Sequence, residues 1–228
     1  MFHVKHSEPD TAVSLPPMTP EEFADVTGVS RETMDRLKAY DATLLDWSSR
    51  HNLIARSTIE DRWRRHYLDS AQLFPLIPEG AKSLLDIGSG AGFPGLVLAA
   101  MGAERGLKVT LVESIGKKAA FLSSAASEMG LDNVSVIPQR IESITISKPD
   151  VITARALARL DKLLAYVHEI AGQNTLCLFL KGQDVEDELT EAAKSWHMKA
   201  VRHPSVTNAG ATILALSELR PKRGSRAP

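Results

Sequence analysis

Cysteine is nearly absent from this chain: Cys177 is the only one in 228 residues, and a single cysteine excludes an intramolecular disulfide. Its neighbours at 176–180 are apolar, so we expect a buried thiol rather than a nucleophile, which would need a histidine or an aspartate beside it. No apolar run approaches the length of a membrane span, and residues 1–6 lack the apolar core of a signal peptide. These absences predict a cytoplasmic protein with no membrane partner.

An excess of charge of either sign is also missing. The 27 Lys and Arg residues nearly balance the 28 Asp and Glu residues, which leaves a net charge of −1, so nucleic acid could bind only through a local basic patch. No cluster of His, Cys and Asp has the spacing of a metal site, and we expect no metal. The length and the 43% hydrophobic content suffice for one substantial domain with or without a small appendage.

What the chain does have is a dense run of glycines within 83–95. An apolar, strand-like segment ends at Gly88, and Pro94 has the backbone angle of a helix start. The run therefore predicts a strand, a tight turn and the N-terminus of a helix. Glycine lets a ligand approach the main chain, and a helix N-terminus offers free N–H groups. The glycines are Gly88, Gly90, Gly92 and Gly95.

Two classes of cofactor fit this turn. Residues 90–95 satisfy the dinucleotide fingerprint G-x-G-x-x-G, and residues 88–92 satisfy the G-x-G-x-G turn of S-adenosylmethionine-dependent methyltransferases. Glu113, at the end of the next predicted strand, could hold ribose hydroxyls in either class. Asp86 separates the classes, because methyltransferases usually carry an acid there, whereas dinucleotide strands are apolar up to the first glycine. We therefore favour a methyltransferase, with Asp86, the glycines of the turn and Glu113 as cofactor-binding residues.

The chain divides into four predicted segments. They are a disordered tail at 1–18, a helical extension at 19–80, a methyltransferase domain at 81–219 and a basic, disordered tail at 220–228. In the third segment, strands are predicted at 83–88, 108–113, 133–138, 150–155, 175–181, 199–206 and 211–219, and helices at 94–102, 116–129, 160–171 and 184–197.

Strands that alternate with helices indicate a doubly wound parallel sheet. Only four residues separate the last two predicted strands, which indicates a hairpin. The predicted fold class is therefore α/β: a Rossmann-like class I methyltransferase with a mostly parallel seven-stranded sheet that ends in an antiparallel hairpin, preceded by the helical extension. A dehydrogenase would need a second half of the sheet and a substrate domain, for which the chain has no room.

Ligands of open α/β sheets bind outside the carboxyl ends of the strands, so the residues that follow each strand are candidate site residues. After the third strand, Ile141 could pack on an adenine ring and Glu142 could meet its polar edge. Arg155 and Lys181 follow the fourth and fifth strands and point to the substrate side. For both cations the alternative is a salt bridge to an acid at the lip of the site.

A basic patch lies between Arg50 and His66, where five arginines face two acids. Arginines beside a tryptophan suit a phosphate backbone, whereas a solvated helix face would explain the charge equally well. His66 could stack on a base, but a structural histidine within a helix is the simpler interpretation. The RNA-binding candidates are Arg56, Arg62, Arg64, Arg65 and Lys181.

Several motifs, taken in order along the chain, resemble those of one family. They are Asn52-Leu-Ile54, Arg65-His66 with Asp69-Ser70, the glycine run from Asp86 to Gly95, Glu113-Ser114 with Lys117-Lys118, Arg155-Ala156 and Leu180-Lys-Gly182. The chain resembles the small-subunit rRNA methyltransferase G family, RsmG or GidB. The resemblance implies S-adenosylmethionine as methyl donor and N7 of a guanosine in bacterial 16S rRNA, at standard position 527 of the 530 loop, as acceptor. It also implies cofactor contacts by Gly88, Phe93, Ile141, Glu142 and Arg155.

Guanine N7 has a lone pair and no proton to lose, so its attack on a sulfonium methyl needs positioning rather than a general base. We therefore expect no acid–base catalytic residue. In agreement, Thr153-Ala-Arg-Ala156 stands where enzymes that act on exocyclic amines carry Asn/Asp-Pro-Pro-Tyr. Two alternatives stay open: a methyltransferase with a small-molecule or protein acceptor, and a non-catalytic rRNA-binding assembly factor. We expect a monomer that binds 16S rRNA or the small ribosomal subunit.

Overall fold

The computed structural model describes residues 15–146 and 148–222, and a seven-stranded sheet forms its centre. The strands are β1 (Ser83–Ile87), β2 (Lys108–Val112), β3 (Val134–Ile137), β4 (Val151–Arg155), β5 (Leu176–Lys181), β6 (Trp196–Pro204) and β7 (Thr212–Pro221). Their order is β3-β2-β1-β4-β5-β7-β6, with β1 to β5 parallel and β7 antiparallel to both β5 and β6. This confirms the predicted doubly wound sheet with an antiparallel hairpin at one edge.

Helices follow β1, β2, β4 and β5, as the alternation of patterns predicts, and the helical element described between β3 and β4 is a short 3-10 turn (Ile141–Ser143). These helices are α4 (Gly95–Gly102), α5 (Gly116–Glu128), α6 (Leu160–Ile170) and α7 (Val185–Ser195). The predicted end of the last helix is wrong, because Trp196 already belongs to β6 and is buried in the core. The predicted end of the last strand is also wrong: β7 continues to Pro221, and Arg220, assigned to the tail, pairs with His197.

In the described residues, three helices and two short 3-10 turns (Arg56–Thr58 and Phe74–Leu76) precede the sheet. The helices are α1 (Pro20–Thr27), α2 (Arg31–Ser48) and α3, which consists of a π-helical part (Trp63–Leu68) and a final α-helical turn (Asp69–Ala71). The predicted helical extension at 19–80 gave no sign of this π-helical geometry. π-helical turns within helices are rare and frequently lie at functional sites. Here the π-helical part carries Arg64, Arg65 and His66 of the basic patch.

Both faces of the sheet are covered by helices. In β1 the side chains alternate, so Leu84 packs into a core with Tyr40 of α2 and Phe121 of α5, while Leu85 packs on the opposite face with Leu164 of α6. The N-terminal helices thus share a continuous hydrophobic core with one face of the sheet. This packing brings α2 and α3 next to the carboxyl ends of the strands.

Polar contacts hold the N-terminal end of the described residues. The Pro16 carbonyl accepts a hydrogen bond from Arg64 of α3, and the Met18 N–H donates to Asp61 just before that helix. Residues 16–18 of the predicted tail therefore lie against the segment 61–64. The remaining predicted tails, 1–14 and most of 220–228, lie outside the described residues. Within the described ranges, no helix combines the length and the apolar character needed to cross a membrane.

Candidate active site

The glycine turn after β1 has the backbone that the sequence predicts. Gly88, Gly90 and Gly92 all have positive φ, at 67°, 56° and 93°, a region that other residues rarely adopt. Glu113 at the end of β2 holds the turn in place, because its two carboxylate oxygens accept hydrogen bonds from the N–H of Gly90 (2.9 Å) and the N–H of Ile115 (2.7 Å). The carboxylate therefore joins the ends of β1 and β2.

Asp86 lies beneath the turn and is almost fully buried. One carboxylate oxygen accepts a hydrogen bond of 2.7 Å from the Thr153 hydroxyl on β4, and the other has no hydrogen-bond partner among the described residues. Burial raises the pKa of Asp86 to about 6. Gly92 is equally confined, since a Cβ there would lie 2.7 Å from the Tyr40 hydroxyl. The turn is therefore closely packed on its inner side, against Asp86 and against the Tyr40 hydroxyl.

A cavity of about 340 Å³, which we call the turn cavity, opens above the glycines. It brings together five predicted cofactor-binding residues: Gly88, Gly90, Glu113, Ile141 and Glu142. These residues come from the ends of β1, β2 and β3, as expected for a ligand site in an open α/β sheet. The cavity also contains Lys118, to which sequence reasoning gave no site role. The sequence feature that could have identified Lys118 is its position as a cation in the first turns of the helix that follows Glu113.

A second cavity of about 440 Å³, the central cavity, shares Gly88, Gly90 and Lys118 with the turn cavity. Phe93 and His66 form part of its wall, with their rings stacked at a centroid distance of 5.1 Å and an interplanar angle of 26°. From the sequence, a structural role for His66 within a helix was the simpler interpretation, with stacking on a base as the alternative. The structure gives it a structural contact with the turn, at the wall of a cavity.

Hydrogen bonds determine which nitrogen of His66 carries the proton. Arg155 lies 2.9 Å from Nδ1, and a guanidinium can only donate, so Nδ1 accepts. Nε2 then carries the proton and donates to the Thr58 hydroxyl (2.8 Å), whose own proton goes to the Ala55 carbonyl. Burial, together with the nearby charges of Arg155 and Arg65, lowers the pKa of His66 to about 3. The ring is therefore neutral at physiological pH.

Arg155 is largely buried at the end of β4. Besides His66, its guanidinium meets the Asp69 carboxylate at 3.6 Å and lies over the Phe93 ring at 5.1 Å. Asp69 in turn accepts a hydrogen bond of 2.7 Å from the Thr207 hydroxyl in the β6–β7 loop. Asp69 therefore connects α3, Arg155 and this loop, and neither it nor Thr207 had been predicted as a site residue.

A third cavity of about 590 Å³, the outer cavity, lies between α3, the β4–α6 loop and the β6–β7 loop. It contains Arg64, Arg65 and Lys181 of the predicted RNA-binding set, and Arg155 lines it as well as the central cavity. Lys181 is bound by Glu188 (2.5 Å) and by the Ala158 carbonyl (2.9 Å). The salt-bridge alternative therefore describes the contacts of both Arg155 and Lys181.

The basic patch does not form one charged surface. Arg62 is bound by both oxygens of Asp41 on α2, at 2.6 and 2.7 Å, with side chains only 20% and 13% exposed. Arg64 pairs with Asp61 at 3.6 Å. Arg56 lies by a separate cavity, with Leu45 and other residues of 48–60. The expectation that Arg62 presents its charge to RNA therefore needs correction, because Asp41 already neutralises that charge within the fold.

Comparisons with known proteins agree with this arrangement. Residues 33–216 match the family model described as GidB, rRNA small subunit methyltransferase G. The ribosomal RNA small subunit methyltransferase G of Paramagnetospirillum magneticum is 50% identical over 211 residues, which cover 92% of this chain and 100% of the relative. Its counterpart in Rhodospirillum centenum is 46% identical and covers 93% of this chain and 97% of its own length.

Solved structures resemble the chain in fold. A SAM-dependent methyltransferase from Aquifex aeolicus matches with a TM-score of 0.54 at 16% identity, over 77% of this chain and 97% of that one. An O-methyltransferase from Bacillus cereus in complex with SAH matches with a TM-score of 0.55 at 16% identity, over 87% and 96%. From the family match, the close relatives and the fold, we conclude that the chain belongs to the GidB family of rRNA small subunit methyltransferase G.

Proposed function

We propose that this protein transfers a methyl group from S-adenosylmethionine to N7 of the guanosine at standard position 527, in the 530 loop of bacterial 16S rRNA. Family membership identifies the reaction. The observation that carries it within the structure is the continuity of the site: Ala156 lines the turn, central and outer cavities alike. A cofactor in the first cavity and a nucleotide in the third would therefore meet at the end of β4.

The residues of the turn cavity fit the proposed cofactor. The glycine turn leaves main-chain atoms open to a ligand, and Glu113 is a buried carboxylate that can accept hydrogen bonds from ribose hydroxyls. Ile141 offers an apolar surface to the adenine ring, with Glu142 beside it. When bound, S-adenosylmethionine supplies an electrophilic methyl group on a sulfonium centre.

We expect this chain to position the acceptor and to exclude water, with no residue acting as a general base. His66 is the titratable ring in the central cavity, and both its nitrogens are engaged, by Arg155 and by Thr58. It therefore has no free lone pair with which to take a proton. Guanine N7 loses no proton in the transfer, so the neutral, fully bonded ring is compatible with the reaction.

On the RNA side, the geometry favours Arg56 and Arg65 over Arg62, Arg64 and Lys181, whose charges are paired with carboxylates within the fold. We further propose that the protein acts as a monomer in the cytoplasm, where its substrate would be the small ribosomal subunit or its 16S rRNA. Light scattering of the purified protein at several concentrations would test the oligomeric state.

The decisive experiment is methyl transfer. Purified protein would be mixed with labelled S-adenosylmethionine and small ribosomal subunits from cells that lack the modification, and the RNA would then be digested. Label in 7-methylguanosine that maps to the 530 loop is the expected result. A cofactor-binding protein that labels a small molecule or a protein instead, or that binds subunits without turnover, would support one of the two alternative functions.

A further inference from the structure

The outer cavity has a charge pattern that the fold itself does not explain. Three of its cations are paired with a carboxylate within the cavity: Arg64 with Asp61, Arg155 with Asp69 and Lys181 with Glu188. The other two, Arg65 and Arg159, are exposed, and no described carboxylate lies within 4.0 Å of either guanidinium. Since Arg65 lies on α3 and Arg159 caps the start of α6, the free charges come from two different walls.

Between these arginines the cavity is lined by apolar side chains. Leu157 is 37% exposed and lines both the outer and the turn cavity. It is held against the glycine turn, because a Cβ on Gly88 would lie 2.5 Å from its side chain. Ala158, Leu180 and Ala211 extend this apolar lining. A flat, uncharged ring system could pack there.

The backbone at the junction is held in an unfavourable conformation. Ala156, which lines all three cavities, has a φ of 50°, a value in the left-handed region that a non-glycine residue seldom adopts. Such strain persists where the surrounding structure enforces it and is concentrated at functional sites. Ala156 immediately precedes Leu157, whose side chain lies against the glycine turn and lines both the outer and the turn cavity.

We propose that the outer cavity receives the target guanosine after it turns out of its RNA stack, with Arg65 and Arg159 binding the backbone phosphates on either side of it. This inference rests on the proposed function and deepens it. A single-stranded ribonucleotide offers a flat base and flanking anions, and proteins bind it by packing the base and pairing the phosphates with cations. The volume of about 590 Å³ lies in the range of ordinary ligand sites. Arg159 had no assigned role.

The test uses two single variants of the full chain, Arg65→Gln and Arg159→Gln. Lys108→Gln is the matched control, because it removes one exposed positive charge at the start of β2, at the end of the sheet opposite the carboxyl ends of the strands that carry the cavities. Three quantities are measured: the dissociation constant for a fluorescent single-stranded RNA with the 530-loop sequence at several salt concentrations, the KM for unmodified small subunits, and the affinity for S-adenosylmethionine.

Each variant should weaken RNA binding and raise the KM by roughly fivefold, and should reduce the slope of log affinity against log salt by about 0.7, the value for one phosphate contact with a single strand. Cofactor affinity and thermal stability should match those of Lys108→Gln. RNA binding, salt slope and KM equal to those of the control would overturn the proposal, as would loss of cofactor binding in either variant. If the unaltered protein produces no 7-methylguanosine, yet both variants weaken RNA binding, the proposed function fails and the cavity assignment stands.

Discussion

Arg155 donates a hydrogen bond to Nδ1 of His66 across 2.9 Å, and this contact links the end of β4 to α3. It joins a cation that the sequence places by the cofactor to a histidine 89 residues earlier in the chain. Because the cation can only donate, the histidine must accept and stay neutral. The protonation state of His66 in the central cavity thus depends on the hydrogen-bond partner of each ring nitrogen.

The first prediction concerns pH. The folded-state pKa of His66 is about 3, below its ordinary value of 6.5, so between these values the unfolded chain binds a proton that the folded chain does not. The contribution of His66 to stability is therefore present above pH 6.5 and is lost as the pH falls toward 3. Chemical denaturation should show that the free energy of unfolding falls less between pH 7 and pH 5 in His66→Gln than in the unaltered protein. Imidazole ¹⁵N shifts that report titration of His66 near pH 6.5 would contradict the assignment.

The second prediction separates backbone strain from ligand binding. Gly90 and Gly106 both have positive φ, and a Cβ added at either position would meet no neighbouring side chain within 4 Å. The nearest atom to a Cβ at Gly90 is the Gly88 carbonyl oxygen at 3.7 Å. Alanine at either position should cost about 1–2 kcal/mol of unfolding free energy, because of the left-handed conformation. Only Gly90→Ala should also weaken S-adenosylmethionine binding in calorimetry. Equal cofactor affinity in the two variants would remove Gly90 from the site.

The third prediction concerns Arg62. Arg62→Met leaves the Asp41 carboxylate buried without its partner, and we expect a loss of about 3 kcal/mol in unfolding free energy. The salt dependence of RNA binding should not change. Arg202→Met is the control, because Arg202 and Glu186 form an equally direct but exposed ion pair, so its loss should have little effect. If Arg62→Met is as stable as the control but its RNA affinity depends less on salt, Arg62 belongs to the RNA-binding surface.

The fourth prediction connects α2 to the glycine turn. The buried Tyr40 hydroxyl donates a hydrogen bond to the Ala91 carbonyl within the turn. Tyr40→Phe should lose about 1–2 kcal/mol of stability, since a buried carbonyl is left without its donor, and should also weaken cofactor binding. Thr27→Val removes a comparable hydroxyl-to-carbonyl bond, to Phe23 in α1, and should affect stability alone. A cofactor affinity unchanged in Tyr40→Phe would show that the turn holds its shape without α2.

Much of the fold could be predicted from local sequence patterns. The apolar runs of β1 and β2 and the glycines after β1 act through backbone preferences of neighbouring residues, so the strand, the turn and the helix that follows could be predicted. The ends of α1 follow from local residues too: Thr19 caps its start with a side-chain hydrogen bond, and Gly28 ends it in the left-handed conformation. The end of α7 was not, because Trp196 continues the apolar pattern while its burial on the sheet extends the backbone into β6.

Sequence by itself therefore determined the class of the sheet, the position of the cofactor turn and the family to which the chain belongs, because these depend on residues that are close together in the chain. The tertiary structure decided which charges are free. Arg62 is compensated by Asp41 and Arg155 by Asp69, pairs that are 21 and 86 residues apart, and Arg65 has no such partner among the described residues. A count of arginines along the chain cannot detect this, since electrostatic compensation depends on distance in the folded state and not on separation in sequence.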